Sequence, residues 1–176
     1  MLCLLLPVLL SCGGIPEERM AIPIDSSISE TIDTIRTDTT DIQTGNTDPS
    51  KLIAYSQTLK GIPYKYASTD PAAGFDCSGF ITYVFNHFGI EVPRTSVDFT
   101  DKGIPINLSL SKPGDLILFT GTDSTIRTVG HMGIITHTGD SIVFIHSTSG
   151  KAYGVTETTL NPYYMGRFMK VIRVFE

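Results

Sequence analysis

Apolar positions along this chain change spacing twice, and the changes divide it into three parts. Met1 to Ser11 (MLCLLLPVLLS) is an almost unbroken apolar run. From Gly13 to Thr47 the residues are mainly Ser, Thr, Asp and Glu with isolated Ile. The stretch TIDTIRTDTTDIQTGNT offers no apolar cluster able to offset the entropy of ordering it. From Asp48 the pattern is that of a folded domain. Asp48-Pro49 supplies a cap and a first-turn proline, Leu52, Ile53, Ser56 and Leu59 fall on one face, and Gly61 closes the segment. Together these predict a helix over 49–60. Phe80, Ile81, Val84, Phe85 and Phe88 repeat at helical spacing over 76–88, with Gly89 as the stop. A short third helix is expected over 96–102. After Pro113-Gly114 the spacing shortens. Residues 115–119 (DLILF) read as a buried strand, 129–137 and 142–147 as a hairpin joined through Thr138-Gly139-Asp140-Ser141, and 167–175 as a last strand. Helices followed by strands predict an α+β domain with an antiparallel sheet packed on a helix.

Composition narrows the function. With 176 residues, 41% hydrophobic and 18% charged, the chain suits one globular domain. A net charge of −5 excludes the basic footprint of a nucleic-acid binder. The leading apolar run is too short to span a bilayer as a helix, which takes ~20 residues, and fits the core of a secretory signal. Leu9-Leu10-Ser11-Cys12 resembles the bacterial lipobox, in which cleavage precedes a cysteine that is then acylated, although no Lys or Arg precedes the run. The expectation is a signal peptide over 1–11, a lipid on Cys12 that attaches the protein to a membrane of the cell envelope, and a disordered tether over 12–47. Fully extended, the tether would reach ~115–125 Å. The domain itself is expected over 48–176.

Of the cysteines Cys3, Cys12 and Cys77, only the last lies in the domain, where it is either inert or reactive. It opens a predicted helix in Asp76-Cys77-Ser78-Gly79-Phe80. Unpaired N–H groups and the helix dipole favour negative charge there, so a lowered thiol pKa is expected. A cysteine nucleophile needs a base, and the base needs an orienting group. His87 sits ~15 Å further along the same helix and is excluded. A two- or four-residue turn at Gly139-Asp140 sets His131 opposite Thr148. His146 is then its diagonal neighbour on one face, with Cβ atoms ~7 Å apart or less. A three-residue turn would put His146 on the wrong face unless a bulge intervened. His137 falls near the turn, ~20 Å from His131. Two structural histidines are the alternative. The expected chemistry has His131 take the Cys77 proton, or hold it as an ion pair, while His146 bonds the far nitrogen of His131. The thiolate attacks an amide carbonyl, the Cys77 N–H faces the oxyanion, and an acyl-enzyme is then hydrolysed.

Six blocks occur in order: Gly61-Ile62-Pro63-Tyr64, Phe75-Asp76-Cys77-Ser78-Gly79-Phe80, Val92-Pro93-Arg94-Thr95-Ser96, Pro113-Gly114-Asp115-Leu116, Gly130-His131-Met132-Gly133-Ile134 and Phe144-Ile145-His146-Ser147. They resemble the NlpC-type family of papain-like cell-wall cysteine peptidases over essentially 52–175. The resemblance implies a papain-like α+β domain, N-terminal helices packed on a central antiparallel sheet, with Cys77 as nucleophile, His131 as general base and His146 as its orienting residue. It also implies Tyr64 beside the thiol, substrate-binding roles for Asp76 and Ser78, and a place at the cleft edge for Arg94 and Thr95. The implied substrate is the wall stem peptide, cut between the γ-carboxyl of D-glutamate and a diamino acid, by a monomer without cofactor or metal.

Two departures stand out. Ala67-Ser68 occupies the place where many relatives have Gly-Gly, which is expected to reshape the cleft, and the polar loop 121–130 is expected to gate the site or set substrate length. A non-catalytic wall-peptide binder, and an amidase or acyltransferase on the same scaffold, remain open alternatives. A metal site from Cys77, His131 and His146 lacks an apparent fourth ligand.

Overall fold

The structure is a computed structural model that describes residues 42–176. The expected signal peptide, Cys12 and the tether as far as Asp41 lie outside the described residues. Helix α1, Pro49–Thr58, starts where Asp48 accepts a hydrogen bond from the Ser50 N–H, and it buries Leu52, Ile53 and Ser56. Helix α2, Cys77–His87, is capped by Asp76, whose carboxylate accepts from the Gly79 N–H at 2.6 Å. Phe80, Ile81, Val84 and Phe85 of α2 have no exposed surface, and each such burial contributes about 1.5–3 kcal/mol. Gly79 allows a close approach: a Cβ there would collide with the Ser68 carbonyl, so the first turn of α2 rests directly on backbone. His87, at the far end of α2, is exposed and stacks on Tyr55 with ring centres 3.7 Å apart.

Two short strands, β1 (Thr69–Asp70) and β2 (Gly74–Phe75), pair just ahead of α2. The main sheet contains β3 (Ile104–Ile106), β4 (Leu116–Thr120), β5 (Val129–His137), β6 (Val143–Thr148), β7 (Gly154–Thr159) and β8 (Phe168–Arg173). All its pairings are antiparallel, in the order β3-β8-β4-β5-β6-β7. The four strands expected from the sequence are its centre. Edge strands β3 and β7, and the short helix α3 (Pro162–Arg167), were not anticipated. The helix expected over 96–102 is only a 3-10 turn, Ser96–Phe99, because Phe99 is its sole buried apolar residue and no helical stripe exists to pack.

Core residues cover both sides of the sheet. Leu116, Leu118, Met132, Ile134, Ile145 and Ile172 pack with α1 and α2, while Ile117, Phe119, Ile135, Phe144 and Val171 pack with Tyr164 of α3. Between β5 and β6, Ile134 lies opposite Ile145 and Ile135 opposite Phe144, the register expected from a two- or four-residue turn. A shift then sets His137 opposite Val143, so the turn has five residues, 138–142, and not the expected two or four; the bulge at the turn end keeps the expected register beyond it.

Ordering begins earlier than Asp48. Ile42 is 3% exposed within the core, and Thr44 Oγ1 donates to the Val174 carbonyl at 3.3 Å. Residues 42–47, expected in the tether, are therefore part of the packed domain. A single Ile in a polar stretch has no periodicity to reveal it. Shortening the chain to begin at Asp48 is expected to lower unfolding free energy by about 2 kcal/mol relative to a start at Ile42. Equal urea midpoints for the two would show that Ile42 adds nothing.

Candidate active site

The first residue of α2 meets the first residues of β5. Cys77 Sγ lies 3.2 Å from Ser96 Oγ and 3.9 Å from the carbonyl oxygen of Gly130, the neighbour of His131. His131 Nε2 is 2.8 Å from His146 Nδ1, and His146 Nε2 is 2.9 Å from Thr158 Oγ1 on β7. This chain permits one arrangement in which His131 presents a bare nitrogen to a thiol. Its Nε2–H then donates to His146 Nδ1, and the His146 Nε2–H donates to the Thr158 hydroxyl. Both ring nitrogens of His146 are thus occupied without a metal.

Aromatic rings surround the pair. Tyr164 lies 6.2 Å from the His131 ring and 5.5 Å from that of His146, with Phe119 behind the first and Phe144 behind the second. Burial among them disfavours the charged imidazole. His131 is held well below its usual value of 6.5, by burial first, then by repulsion from His146 and Arg167. Burial, with Arg167 adding, lowers His146 to about 3.

The thiol behaves differently from expectation. Burial pushes Cys77 up from 9.0, and the negative charge of Asp76 adds to the rise; the Ser96 hydrogen bond and the helix N–H groups oppose it without reversing it. The helix terminus was expected to win, but desolvation outweighs it. At rest the thiol and the imidazole are both neutral, and the sulfur contacts Ser96 and the Gly130 carbonyl.

Cys77 lies where two lobes of a cleft meet. The larger, of 880 Å³, is lined by His131, the 148–152 turn, Thr156, Thr158, Tyr163, Tyr164 and Arg167; the smaller, of 450 Å³, by Asp76, Ser78, Arg94, Thr95, Ser96 and Ala67. Tyr64, Cys77 and Gly130 line both. The structure thus brings Cys77, His131, His146 and Tyr64 together. Asp76, Ser78 and Arg94 form one network beside them: Arg94 reaches both Asp76 oxygens at 3.1 and 2.7 Å, and Ser78 Oγ at 3.1 Å. That network fixes the cap of α2 while it walls the smaller lobe. Ala67, one of the two residues expected to reshape the cleft, adopts φ 57°, a left-handed conformation that favours glycine, and it lines the smaller lobe. From the polar loop 121–130, its ends line the cleft: Gly121, Thr122 and Gly130 the larger lobe, Val129 and Gly130 the smaller. Sequence reasoning missed Ser96, Thr158, Tyr163, Tyr164 and Arg167. Ser96 lay inside a quoted block, but nothing in the spacing aimed it at the thiol.

A model described as the NlpC/P60 family matches residues 61–173. The chain is 30% identical over 134 residues to a Bacillus subtilis (strain 168) protein named gamma-DL-glutamyl hydrolase, covering 76% of this chain and 32% of that one. It is 32% identical over 127 residues to Escherichia coli (strain K12) murein DD-endopeptidase MepS/murein LD-carboxypeptidase, covering 71% and 62%. This chain therefore spans less than two thirds of the length of either relative. Among solved structures, a Bacillus cereus ATCC 10987 protein of the NlpC/P60 family superposes with a TM-score of 0.65 at 29% identity, covering 75% of this chain and 42% of that one.

Two measurements test the neutral pair. Alkylation of Cys77 by iodoacetamide, followed by peptide mass spectrometry, is expected to keep rising with pH well above about pH 7; a plateau below it would show a preformed thiolate–imidazolium pair. Because both histidines are depressed, the unfolded chain binds protons that the folded protein refuses. Stability should therefore be full above about pH 6.5 and decline as the pH falls from there. In His146→Gln the decline should be shallower in chemical unfolding at stepped pH.

Proposed function

The chain belongs to the NlpC/P60 family, and from that premise we propose that it is a peptidoglycan hydrolase acting as a cysteine endopeptidase on wall stem peptides. The observation that carries the reading is the cleft in which Cys77 and His131 face one space while His146 holds the far nitrogen of His131 at 2.8 Å. In the proposed reaction His131 takes the thiol proton as Sγ attacks the scissile carbonyl. The oxyanion forms beside the Cys77 N–H and the Tyr64 phenol, which burial first, then the nearby Cys77 and Asp76, keep protonated. His131 returns the proton to the departing amine as the C–N bond breaks. It then deprotonates a water whose oxygen displaces Sγ, and the thiol regains its proton.

The bond cut is the amide between the γ-carboxyl of D-glutamate and a diamino acid. A relative named for γ-DL-glutamyl hydrolysis supports that choice; one named for DD-endopeptidase and LD-carboxypeptidase action on murein supports the wall substrate but not this bond. The acyl half occupies the smaller lobe, against Asp76, Ser78 and Arg94; the amine half occupies the larger. The enzyme works as a monomer outside the cytoplasm, held to the membrane by lipid on Cys12.

Incubation of the full chain with purified stem peptides, read by mass spectrometry, is expected to release a fragment ending in D-glutamate, and Cys77→Ala should release none. His131→Ala should lower kcat by about 10²–10⁴-fold, and His146→Gln by less. Binding of peptide by the wild type without cleavage would replace this reading with a binding module; transfer to an added amine instead of water would make it an acyltransferase.

A further inference from the structure

We propose that Arg167 forms a carboxylate subsite on the leaving-amine side of the cleft, contacting a free carboxylate on the residue whose amine departs. This rests on the hydrolase reading above, because that reading fixes which side is which. The group that protonates a leaving nitrogen must lie beside it. His131 lines the larger lobe and is absent from the lining of the smaller, so the amine half lies in the larger lobe.

That lobe is cationic in an acidic protein. The chain carries a net charge of −5. Yet among the described residues lining the larger lobe stand Arg167 and Lys151, with no Asp or Glu. Arg167 is 8% exposed, and its partners are all neutral. Nε donates to the Gly121 carbonyl at 2.8 Å, one Nη to the Thr120 carbonyl at 3.0 Å, and the other Nη to the Tyr163 hydroxyl at 3.0 Å. The Tyr163 and Tyr164 rings lie 5.1 and 5.5 Å from its central carbon. By contrast Arg94 and Arg173 each meet a carboxylate, from Asp76 and Asp115. A guanidinium has five N–H donors, and these three bonds leave donors on the two Nη atoms. Burying a cation without a counter-charge is costly, and holding two carbonyls does not require one. A planar fork with unused donors, fixed by Tyr163 at the wall of a substrate lobe, matches a carboxylate.

The test uses L-alanyl-γ-D-glutamyl-L-lysine with a free C-terminal carboxylate, and the same peptide as its C-terminal carboxamide. Binding is measured calorimetrically on the full chain carrying Cys77→Ala, and cleavage on the wild type. The free acid is expected to bind about tenfold or more tightly than the amide, a gap of the size of one charge-assisted hydrogen bond. Cys77→Ala combined with Arg167→Gln should bind both peptides alike. The amide changes the ligand and not the protein, so the comparison holds even if Arg167→Gln unfolds. Equal binding of acid and amide would overturn the subsite alone and leave the hydrolase standing. A preference that survives in folded Arg167→Gln would overturn it equally. Failure of the protein to bind or cleave either peptide would overturn the wall-peptide reading and the subsite together.

Discussion

Two imidazoles 2.8 Å apart can cooperate only if the strands that carry them cannot slip. A shift of one residue between β5 and β6 would turn His146 to the opposite face of the sheet. Several features oppose that shift. β6 pairs along all six of its residues with β7, so it is not an edge. Gly133 lets it come close: a Cβ there would stand 2.8 Å from the Ile145 carbonyl and 3.2 Å from the His146 Cβ. The one irregularity in the hairpin falls at the turn end, past Ile135, and Ile134 keeps its pairing with Ile145, the neighbour of His146. Thr158, from β7, then closes the chain of bonds. The precision of the pair is a property of three adjacent strands and not of a loop.

Position and charge make opposite demands on the thiol. Seating Cys77 at the start of α2 requires that helix to be rigid, and its rigidity comes from burying Phe80, Ile81, Val84 and Phe85 completely. The sulfur at the start of the helix is itself partly withdrawn from water. Asp76, which caps the helix, brings a negative charge next to it, only partly offset by Arg94. The elements that position Cys77 therefore keep its thiol protonated, and in the proposed reaction the proton leaves as attack occurs. On that proposal the demand falls on His131, which burial among aromatic rings keeps neutral and so able to accept.

The sequence disclosed whatever repeats. Helices α1 and α2 announced themselves through caps and a helical stripe. The four inner strands did so through apolar runs, and the pairing of His131 with His146 through strand arithmetic alone. Strand β7 (GVTETT) is an edge whose polar residues look like loop, and α3 (PYYMGR) is too short to show a period. Yet these two supply Thr158, Tyr163, Tyr164 and Arg167. Ser96 is a polar residue in a 3-10 turn, and only the fold brings it to the thiol. Ile42 shows the same limit at the other end, since one apolar residue among threonines reads as tether. The error over the thiol differs in kind. A helix start could be read from the letters, whereas the depth of burial that outweighs it could not.

Arg167 links the charge state of the base to whatever fills the larger lobe. Its positive charge is among the causes that hold both His131 and His146 neutral. A carboxylate at the proposed subsite would offset part of that repulsion. The sign is fixed by Coulomb's law: occupancy of the lobe by an anion raises the proton affinity of His131. If the proposed subsite holds, a base that is weak in the empty cleft would become stronger when an anionic peptide occupies it. A neutral ligand in the same lobe would fill space without this effect. Under the two proposals together, charge on the leaving half of a wall peptide would bear on the readiness of the thiol as well as on binding.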